Sequence, residues 1–315
     1  MSNLTFYPSQ LSTEIERIKN TYDDNGWVVI KSLIPDTKID GALEALERIK
    51  TKRPAILTQN SHEWTRPVIE NGQMIDSIQS PSKHLHLLGC RQKIIDLTTD
   101  SSISNVLTLL SGHNKFIQWQ DMLFDKSTGT ADHFDSYYLD TFPIGQMTAA
   151  WIALEDIHPD SGPFFTVSQT KEERTKNVAL KRIPHAEFVT ACHKLVKANR
   201  DSVYEATLQR GDVLFWNSLT LHGAKNPIDE NKTRKSVTCH FYPVGIAREK
   251  KPTQEAAITD ANAMKKTRNP HIFLSNSDGD NHLRFTAFGL RRYIKESFTK
   301  KRFRHTLMNR SEYDI

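Results

Sequence analysis

The chain has 315 residues, of which 37% are hydrophobic and 25% charged, so it is long enough to bury a substantial core and has the composition of a globular protein. No apolar run approaches the roughly 20 residues of a membrane-spanning helix, which excludes a predicted span. The first residues lack a basic start followed by an apolar stretch, so we expect a cytoplasmic location. The three cysteines are widely spaced, which argues against a disulfide framework or a thiolate zinc site.

The net charge of +5 is unevenly distributed. Residues 246–315 contain 15 Lys and Arg against 8 Asp and Glu, a net of +7, so the rest of the chain carries −2. A basic region can meet nucleic acid, an anionic membrane surface or an anionic substrate. Because neither basic run contains a nucleic-acid-binding motif, a solvated helical surface is the simpler interpretation, and we expect no nucleic-acid partner.

The first 112 residues are predicted to be mainly helical. A helix with Thr13 and Glu16 spaced as a capping box precedes a short strand in NGWVVI. A second helix is predicted to start with Asp36 as its N-cap, and helical material covers residues 83–111. Between them, residues 54–81 are polar and interrupted by prolines. This pattern predicts a long irregular segment of the kind that covers an active-site mouth.

Short strands dominate from residue 113 to about residue 245. The predicted strands are KFIQWQDMLF, HFDSYYL, GQMTAAWIALE, PFFTVSQ, YEATLQ, DVLFWN and KSVTCHFYPV, and one helix interrupts them near HAEFVTACHKLVKANR. Many short strands after a helical layer predict a mainly β core with flanking helices, a sandwich or a barrel. Since no linker or repeat divides the chain, we expect one domain: a helical part at 1–112, the β core at 113–245 and a basic helical elaboration at 246–315.

The pattern His-x-Asp/Glu occurs three times, and only its context separates the three. From 13 His and 37 acidic residues, chance alone predicts roughly 1.5 instances. Residues two apart share one face of a strand but diverge on a helix. His185 and Glu187 lie in a predicted helix, and residues 158–160 lie in a predicted turn. His133 and Asp135 begin the predicted strand HFDSYYL, so both could face one interior.

Two more segments complete a candidate site. A nitrogen and a carboxylate are two of the three ligands in the facial triad of non-haem Fe(II) oxygenases, and His222, after the buried strand DVLFWN, offers the second histidine. In RKSVTCHFYP, Arg234, Ser236 and His240 alternate along one strand face, which directs an arginine inward. A buried guanidinium needs an anion, and a carboxylate of 2-oxoglutarate is a suitable partner.

At these residues the chain resembles the phytanoyl-CoA dioxygenase-like family of Fe(II)/2-oxoglutarate-dependent oxygenases. The resemblance runs through YDDNGWVVIKSLI, HFD, TAAWIALEDIHPDSGPFF, RGDVLFWNSLTLHGAKNP and RKSVTCHFYP, which is most of residues 12–245. It implies a double-stranded β-helix, a cupin-like jelly roll, flanked by helices. The segment SGPFFTVSQTK departs from the family by lacking its usual Pro-Gly-Ser-His, so the role of that loop stays open.

The resemblance implies a role for each matching position. It assigns His133, Asp135 and His222 to iron, Arg234 and Ser236 to the distal carboxylate of 2-oxoglutarate, and Gln120 and Trp151 to the pocket of that co-substrate. The substrate-binding residues are not assigned. Tyr137, Tyr138 and His240 are candidates, and packing is the alternative role for each.

The implied cofactors are Fe(II), 2-oxoglutarate and O₂, and the implied reaction oxidises an unactivated C–H of a small molecule. Hydroxylation is the default, while desaturation and oxidative cyclisation in a biosynthetic pathway use the same ligands. Related halogenases have a small residue at the position of Asp135, so a carboxylate there argues against halogenation. The basic content of residues 246–315 favours a small anionic or amino-acid-like substrate. An acyl-CoA hydroxylase and a catalytically inactive jelly-roll binding protein are the alternatives, and the oligomeric state is not indicated.

Overall fold

The computed structural model describes residues 4–59, 64–87 and 89–248, together with the backbone of one short strand at 272–273. Its helices are α1 (Ile15–Asn25), α2 (Asp36–Lys52), α3 (Gly89–Thr98), α4 (Ser101–Ser111), α5 (Asp135–Tyr138), α6 (Lys171–Lys176) and α7 (His185–Ala198). Its strands up to residue 124 are β1 (Thr5–Phe6), β2 (Trp27–Ile30), β3 (Ile56–Leu57), β4 (Trp64–Thr65), β5 (Ile69–Glu70), β6 (Gln73–Met74), β7 (Ile78–Gln79) and β8 (Phe116–Phe124). The later strands are β9 (Thr141–Phe142), β10 (Thr148–Ala153), β11 (Phe164–Val167), β12 (Val203–Glu205), β13 (Val213–Asn217), β14 (His222–Ala224), β15 (Ser236–Pro243), β16 (Ala247–Arg248) and β17 (Ile272–Phe273).

Two sheets form the jelly roll. The larger has the strand order β1-β2-β13-β10-β15-β8-β17, with β7 added beside β8, and the smaller has the order β12-β11-β14. Neighbouring strands from β2 through β8 in the larger sheet are antiparallel. This arrangement confirms the predicted mainly β core with flanking helices.

The larger sheet separates two apolar cores because its side chains alternate between its faces. On β10, Ala150 and Ile152 belong to the core that includes residues of α1, α2, α3 and α4. Their neighbours Ala149 and Trp151 belong to a second core, which also contains Phe164 from the smaller sheet. The second core lies inside the jelly roll, and side chains on that face of β8, β10, β13 and β15 are available to an interior site.

The first two helices form as predicted, but their N-termini differ from the prediction. The Thr13–Glu16 capping box is absent, and Glu14 is the N-cap without a capping hydrogen bond from its side chain. That carboxylate accepts a hydrogen bond from Gln10 Nε2 instead, at 2.6 Å. Asp36 is the first helical residue and not the cap, and its carboxylate accepts from Arg210 Nε at 2.8 Å. In both places a side-chain contact replaces the local cap.

The predicted irregular segment at 54–81 contains five two-residue strands, the last of which is β7. Ile78 and Gln79 pair with Leu123 and Met122 of β8, so this end of the segment extends the larger sheet at its edge. The predicted basic helical elaboration at 246–315 lies outside the described residues except for its first three residues and β17. No helix within the described ranges is both long and apolar enough to cross a bilayer.

Gly162 provides a test of this packing. It has φ +74°, and a Cβ there would lie closer than 3.0 Å to Lys225 O, Pro227 N and Ser127 Cβ, two of which are backbone atoms. We expect Gly162→Ala to lower the free energy of unfolding by at least about 3 kcal/mol, measured by urea denaturation. Gly72 has φ +77° with open space around its Cβ position, so Gly72→Ala should cost only roughly 1 kcal/mol. Equal losses in the two variants would contradict this account.

Candidate metal centre

His133 and His222 lie directly opposite each other in an antiparallel bridge. The amide of His133 donates to the carbonyl of His222 at 2.9 Å, and the amide of His222 donates to the carbonyl of His133 at 3.0 Å. Side chains of such directly paired residues lie on the same face of the pair. The two imidazole rings accordingly have centroids 4.2 Å apart.

Asp135 reaches the histidines by a different route from the predicted one. The segment HFDSYYL is not a strand: Phe134 is extended, and Asp135 is the first residue of the one-turn helix α5. The amide of Leu139 closes this turn by donating to the carbonyl of Asp135 at 2.8 Å, and the amide of Ser136 donates to the carbonyl of Ser218. The prediction that His133 and Asp135 share one face of a strand was therefore wrong, although their side chains do lie close together.

The carboxylate of Asp135 lies beside both imidazoles. Its Oδ1 is 3.6 Å from His133 Nε2 and 3.5 Å from His222 Nε2. Its Oδ2 accepts a hydrogen bond from Trp216 Nε1 at 2.9 Å and lies 3.4 Å from His240 Nε2. Burial by itself would raise the pKa of this carboxyl, but the surrounding imidazoles, His222 first, lower its pKa well below the usual range. The group is therefore held as a carboxylate.

The ring orientations leave one nitrogen of each histidine available. His133 Nδ1 lies 2.7 Å from the carbonyl of Ala131, and His222 Nδ1 lies 2.9 Å from the carbonyl of Thr220. A carbonyl only accepts, so each Nδ1 carries the proton and donates it. Each Nε2 is then the ring nitrogen that faces Asp135 and is left to bind a metal ion. In metal-ligating histidines, the ring nitrogen that does not bind the metal typically donates a hydrogen bond of this kind.

The donor set fits a divalent iron ion. One donor atom each from His133, Asp135 and His222 lie within 4.8 Å of one another, which lets one ion bind all three after small side-chain rotations. Two imidazoles and one carboxylate on one side, with the other positions open, form the arrangement used by non-haem Fe(II) oxygenases.

Arg234 supplies the second half of the site. It is 1% exposed, and its Nε and Nη1 atoms are buried without a hydrogen-bond partner among the described residues. The rings of Phe124 and Trp151 flank the guanidinium at 5.1 and 5.8 Å. Burial lowers the pKa of Arg234 to about 9, because no described anion offsets the loss of hydration. A carboxylate is the anion that best matches the paired N–H donors of a guanidinium. Arg234 therefore fits the distal carboxylate of 2-oxoglutarate.

The structure places the other predicted residues as follows. Ser236 is buried at the start of β15, where its hydroxyl donates weakly to the carbonyl of Arg234 at 3.4 Å. His240, on the same strand, pairs across to Gln120 of β8, and Trp151 of β10 pairs with the intervening Thr238. All of these positions belong to the inner face of the larger sheet.

The two tyrosines after the candidate ligand Asp135 have different surroundings. Tyr137 stacks on Phe188 with centroids 3.8 Å apart, and its hydroxyl donates to the carbonyl of Ile183. Tyr138 lies edge-on to His133 at 5.6 Å and has its hydroxyl 2.8 Å from His185 Nε2. Tyr137 therefore packs between α5 and α7, and Tyr138 borders the candidate ligands.

The other two His-x-acid pairs do not join the site. His185 and Glu187 lie in helix α7, as predicted. His158 is the N-cap of a short 3₁₀ turn, where its Nδ1 accepts a hydrogen bond from the amide of Asp160 at 3.1 Å. The predicted turn explains this pair.

Two contributors were not identified from the sequence. Trp216, interpreted as a core residue, donates to Asp135. Thr166 of β11 pairs with His222, is fully buried, and has no hydrogen-bond partner for its hydroxyl within the described ranges. A hydroxyl in the apolar run PFFTV is a weak signal, because threonine is also a common strand residue.

The fold and this pair of sites define a class, that of the Fe(II)/2-oxoglutarate-dependent dioxygenases, which act with iron, 2-oxoglutarate and O₂. The model of the phytanoyl-CoA dioxygenase (PhyH) family matches residues 22–236, and the chain belongs to this family. The inactive binding protein considered above is thereby set aside.

Known proteins similar to this chain agree with that placement. Peroxisomal phytanoyl-CoA dioxygenase of Homo sapiens is 24% identical over 275 residues, covering 76% of this chain and 74% of its own. The epimerase SnoN from nogalamycin biosynthesis, solved with Fe³⁺, α-ketoglutarate and nogalamycin RO, has a TM-score of 0.53 at 15% identity and covers 79% of this chain and 94% of its own. EctD from S. alaskensis with bound Fe has a TM-score of 0.52 at 15% identity, covering 76% and 81%. At these identities the solved structures confirm the fold.

The role of Asp135 can be tested without turnover. We expect Asp135→Ala to weaken binding of Mn(II), a redox-stable probe, by at least roughly 100-fold, measured by calorimetry. Asp160→Ala changes the acid of the His-x-Asp pair at 158–160 and is the matched control. Its Mn(II) affinity should equal that of the wild type. Retention of tight binding by Asp135→Ala would exclude the proposed ligand set.

Two buried arginines give a second test, because they differ in their partners. Arg174 donates to the backbone carbonyls of Gln169, Asp23 and Asp24, whereas Arg234 has two nitrogens without a described partner. Arg234→Met should leave the unfolding free energy of the protein without 2-oxoglutarate unchanged or higher. The same variant should weaken 2-oxoglutarate binding in the presence of Mn(II) by roughly 100-fold.

Arg174→Met should give the opposite pattern, because it leaves buried carbonyls without donors. We expect lower stability in urea denaturation and unchanged affinity for 2-oxoglutarate in calorimetry. A large loss of stability in Arg234→Met would show that its guanidinium already has a structural partner.

Proposed function

We propose that His133, Asp135 and His222 bind Fe(II), that Arg234 and Ser236 bind the distal carboxylate of 2-oxoglutarate, and that the enzyme oxidises an unactivated C–H of a small molecule. Hydroxylation is the proposed outcome, with desaturation or oxidative cyclisation in a biosynthetic pathway as variants of the same chemistry. One observation carries the proposal: three ligand atoms converge beside His240 of β15, and the segment leading into the same strand carries Arg234, a buried arginine with no described anion.

When bound, iron and 2-oxoglutarate with O₂ supply an oxidant for a C–H bond, while the co-substrate is converted to succinate and CO₂. The chain's own residues bind, orient and exclude water. The backbone pairing of His133 with His222 and the Trp216 hydrogen bond fix the directions of the donor atoms. Arg234 orients 2-oxoglutarate by a charge-assisted contact, and Phe124 and Trp151 keep that contact dry.

We propose Trp151, Gln120 and Thr166 as further neighbours of the co-substrate. Trp151 lies against Arg234, and Gln120 of β8 lies directly opposite His240 of the neighbouring strand β15. The unpartnered hydroxyl of Thr166 lies beside His222. A buried hydroxyl without a partner is costly, so a ligand that accepts from it or donates to it stabilises the site. Tyr138 is proposed to border the substrate, because its ring touches that of His133.

The proposed substrate is a small anionic or amino-acid-like metabolite. The basic content of residues 246–315 supports an anionic molecule. An acyl-CoA is the alternative, and the names of the curated relatives, which are phytanoyl-CoA dioxygenases, favour it. Coenzyme A itself distinguishes the two. Binding of coenzyme A at millimolar concentration would favour an acyl-CoA substrate. If coenzyme A does not bind, the small metabolite is favoured.

Succinate formation tests the proposed function directly. Anaerobically purified protein given Fe(II), 2-oxoglutarate, ascorbate and O₂ should release succinate slowly even without its substrate. Asp135→Ala and Arg234→Ala should reduce this rate by at least roughly 100-fold, since each removes a charged group from a buried site. Asp160→Ala should match the wild type. No succinate from the wild type, together with no metal-dependent binding of 2-oxoglutarate, would refute the proposal.

A further inference from the structure

A second arginine lies near the metal centre, on the side away from Arg234. Arg248 is the last residue of β16, and it pairs with Thr141 of β9. β9 follows α5, the one-turn helix that begins at the candidate ligand Asp135. The backbone therefore brings Arg248 back to the segment that carries the metal ligands, although it lies more than a hundred residues later in the chain.

Side-chain contacts place Arg248 on the inner face of the larger sheet. Its guanidinium carbon lies 4.1 Å from the ring centroid of Trp119. The register of β8 against β15 shifts at this point, with Gln118 opposite Phe241 and Gln120 opposite His240, so Trp119 is the extra residue of a β-bulge. Bulges redirect a side chain, and the ring of Trp119 meets that of Tyr242 edge-on at 5.7 Å.

The order along β15 relates this place to the rest of the site. Arg234 lies two residues before Ser236, at the start of the strand, and His240, beside Asp135, lies further along it. Tyr242 is the next residue of the same face, and Arg248 follows beside it. The two arginines therefore lie on opposite sides of His240 along one sheet face.

Arg248 resembles Arg234 in lacking a counter-ion within the described part of the chain. Its Nε and Nη1 atoms are buried without a hydrogen-bond partner there. Burial lowers the pKa of Arg248, and the side chain of Tyr242, which hydrogen-bonds to the guanidinium, acts in the opposite direction. A neutral hydroxyl does not balance a full charge, so the guanidinium keeps donors for an anion.

A second cation lies close to the first. Lys83 Nζ donates to the carbonyl of Trp119 and is half-buried. Burial, together with the charge of Arg248, lowers the pKa of Lys83 to about 8, although Asp121 opposes the shift. Asp121 is already bound by the amide and hydroxyl of Ser82. The positive charge around Trp119 thus exceeds what the described carboxylates compensate.

We propose that Arg248, Trp119, Tyr242 and Lys83 form an oxyanion subsite that binds a carboxylate or phosphate group of the substrate. This inference rests on the proposed function, since it assigns the substrate's charged group to one end of the same face. Stacking on Trp119 holds the guanidinium plane, which reduces the entropy lost when it forms paired hydrogen bonds with an oxyanion. Arg234 receives the co-substrate's carboxylate and Arg248 the substrate's, so the reacting carbon lies between them, beside the metal ligands.

Simple anions test the subsite without knowledge of the substrate. Inorganic phosphate and acetate are titrated separately into protein saturated with Mn(II) and 2-oxoglutarate, so that Arg234 is occupied. Binding is followed by calorimetry and by intrinsic tryptophan fluorescence. Saturable binding of at least one anion is expected. Stronger binding of phosphate would identify a phosphorylated substrate, and stronger binding of acetate a carboxylic acid.

Arg248→Gln should weaken anion binding by at least roughly 10-fold, and Arg248→Lys should restore part of it. Arg210→Gln is the matched control, because Arg210 is partly exposed and its guanidinium is already paired with Asp36 and Asp40, away from the metal centre. Its anion affinity should be unchanged. Should Arg248→Gln fail to fold, Lys83→Met decides the matter, with weaker binding expected.

The inference is overturned if the wild type binds neither anion, or if Arg248→Gln and Lys83→Met both bind as well as the wild type. Either result would mean that another part of the chain neutralises Arg248. These outcomes are separate from the fate of the proposed function. Succinate formation with no anion binding would leave the oxygenase intact and remove the subsite. Anion binding that depends on Arg248, with no succinate formation, would keep the subsite and remove the proposed oxygenase function.

Discussion

The pair of backbone hydrogen bonds between His133 and His222 is the constraint on which the site depends. The two residues lie 89 positions apart, and their bridge closes the jelly roll at the end of the smaller sheet, where His222 also pairs with Thr166 of β11. Because a directly opposed pair fixes both side chains on one face, the distance between the imidazoles follows from strand geometry. The Nδ1 hydrogen bonds to the carbonyls of Ala131 and Thr220 then hold each ring in its orientation. The two candidate histidine ligands are therefore positioned by the backbone pairing of the fold.

The interior also carries uncompensated charge, which is unusual for a packed core. Arg174 shows the ordinary solution, in which buried guanidinium donors are directed at backbone carbonyls. Arg234 has two aromatic rings at 5.1 and 5.8 Å from its guanidinium carbon, and donors with no described acceptor. Such a group destabilises the unliganded fold and stabilises whichever anion replaces the lost water. A ligand that binds only the native state then raises stability as well as occupying the site. In the proposed function, the desolvation of Arg234 takes place when the protein folds, so it is not a cost when 2-oxoglutarate binds.

Much of this was predictable from the sequence, for reasons that particular residues make clear. The alternation of Ser236, Thr238 and His240 along β15, and the apolar runs of β10 and β13, follow directly from the two-residue period of strands. Helix α5 was not predicted, because four residues give too short a window for a helical period to appear, and Tyr and Phe favour strands. Local capping patterns were also unreliable alone. The Thr170–Glu173 box caps α6, whereas the similar pattern at Thr13 and Glu16 does not form, since Glu14 and Gln10 bind each other there.

Contacts between distant segments were the features least visible in the sequence. Trp216 and Thr166 lie in apolar runs that any buried strand would show, and only the fold directs them to Asp135 and His222. Arg248 belongs to a basic region for which a solvated surface was the simpler interpretation, yet its guanidinium lies on the ring of Trp119. A count of charges treats all cations alike. The structure distinguishes cationic groups that are hydrated or paired with an anion from those whose N–H donors are buried without an acceptor. In the proposed function, the candidate ligands and Arg234 fix where the oxidant acts. Which C–H bond is presented to it is proposed to depend on groups beyond His240, where the guanidinium of Arg248 lies on the ring of the bulge residue Trp119.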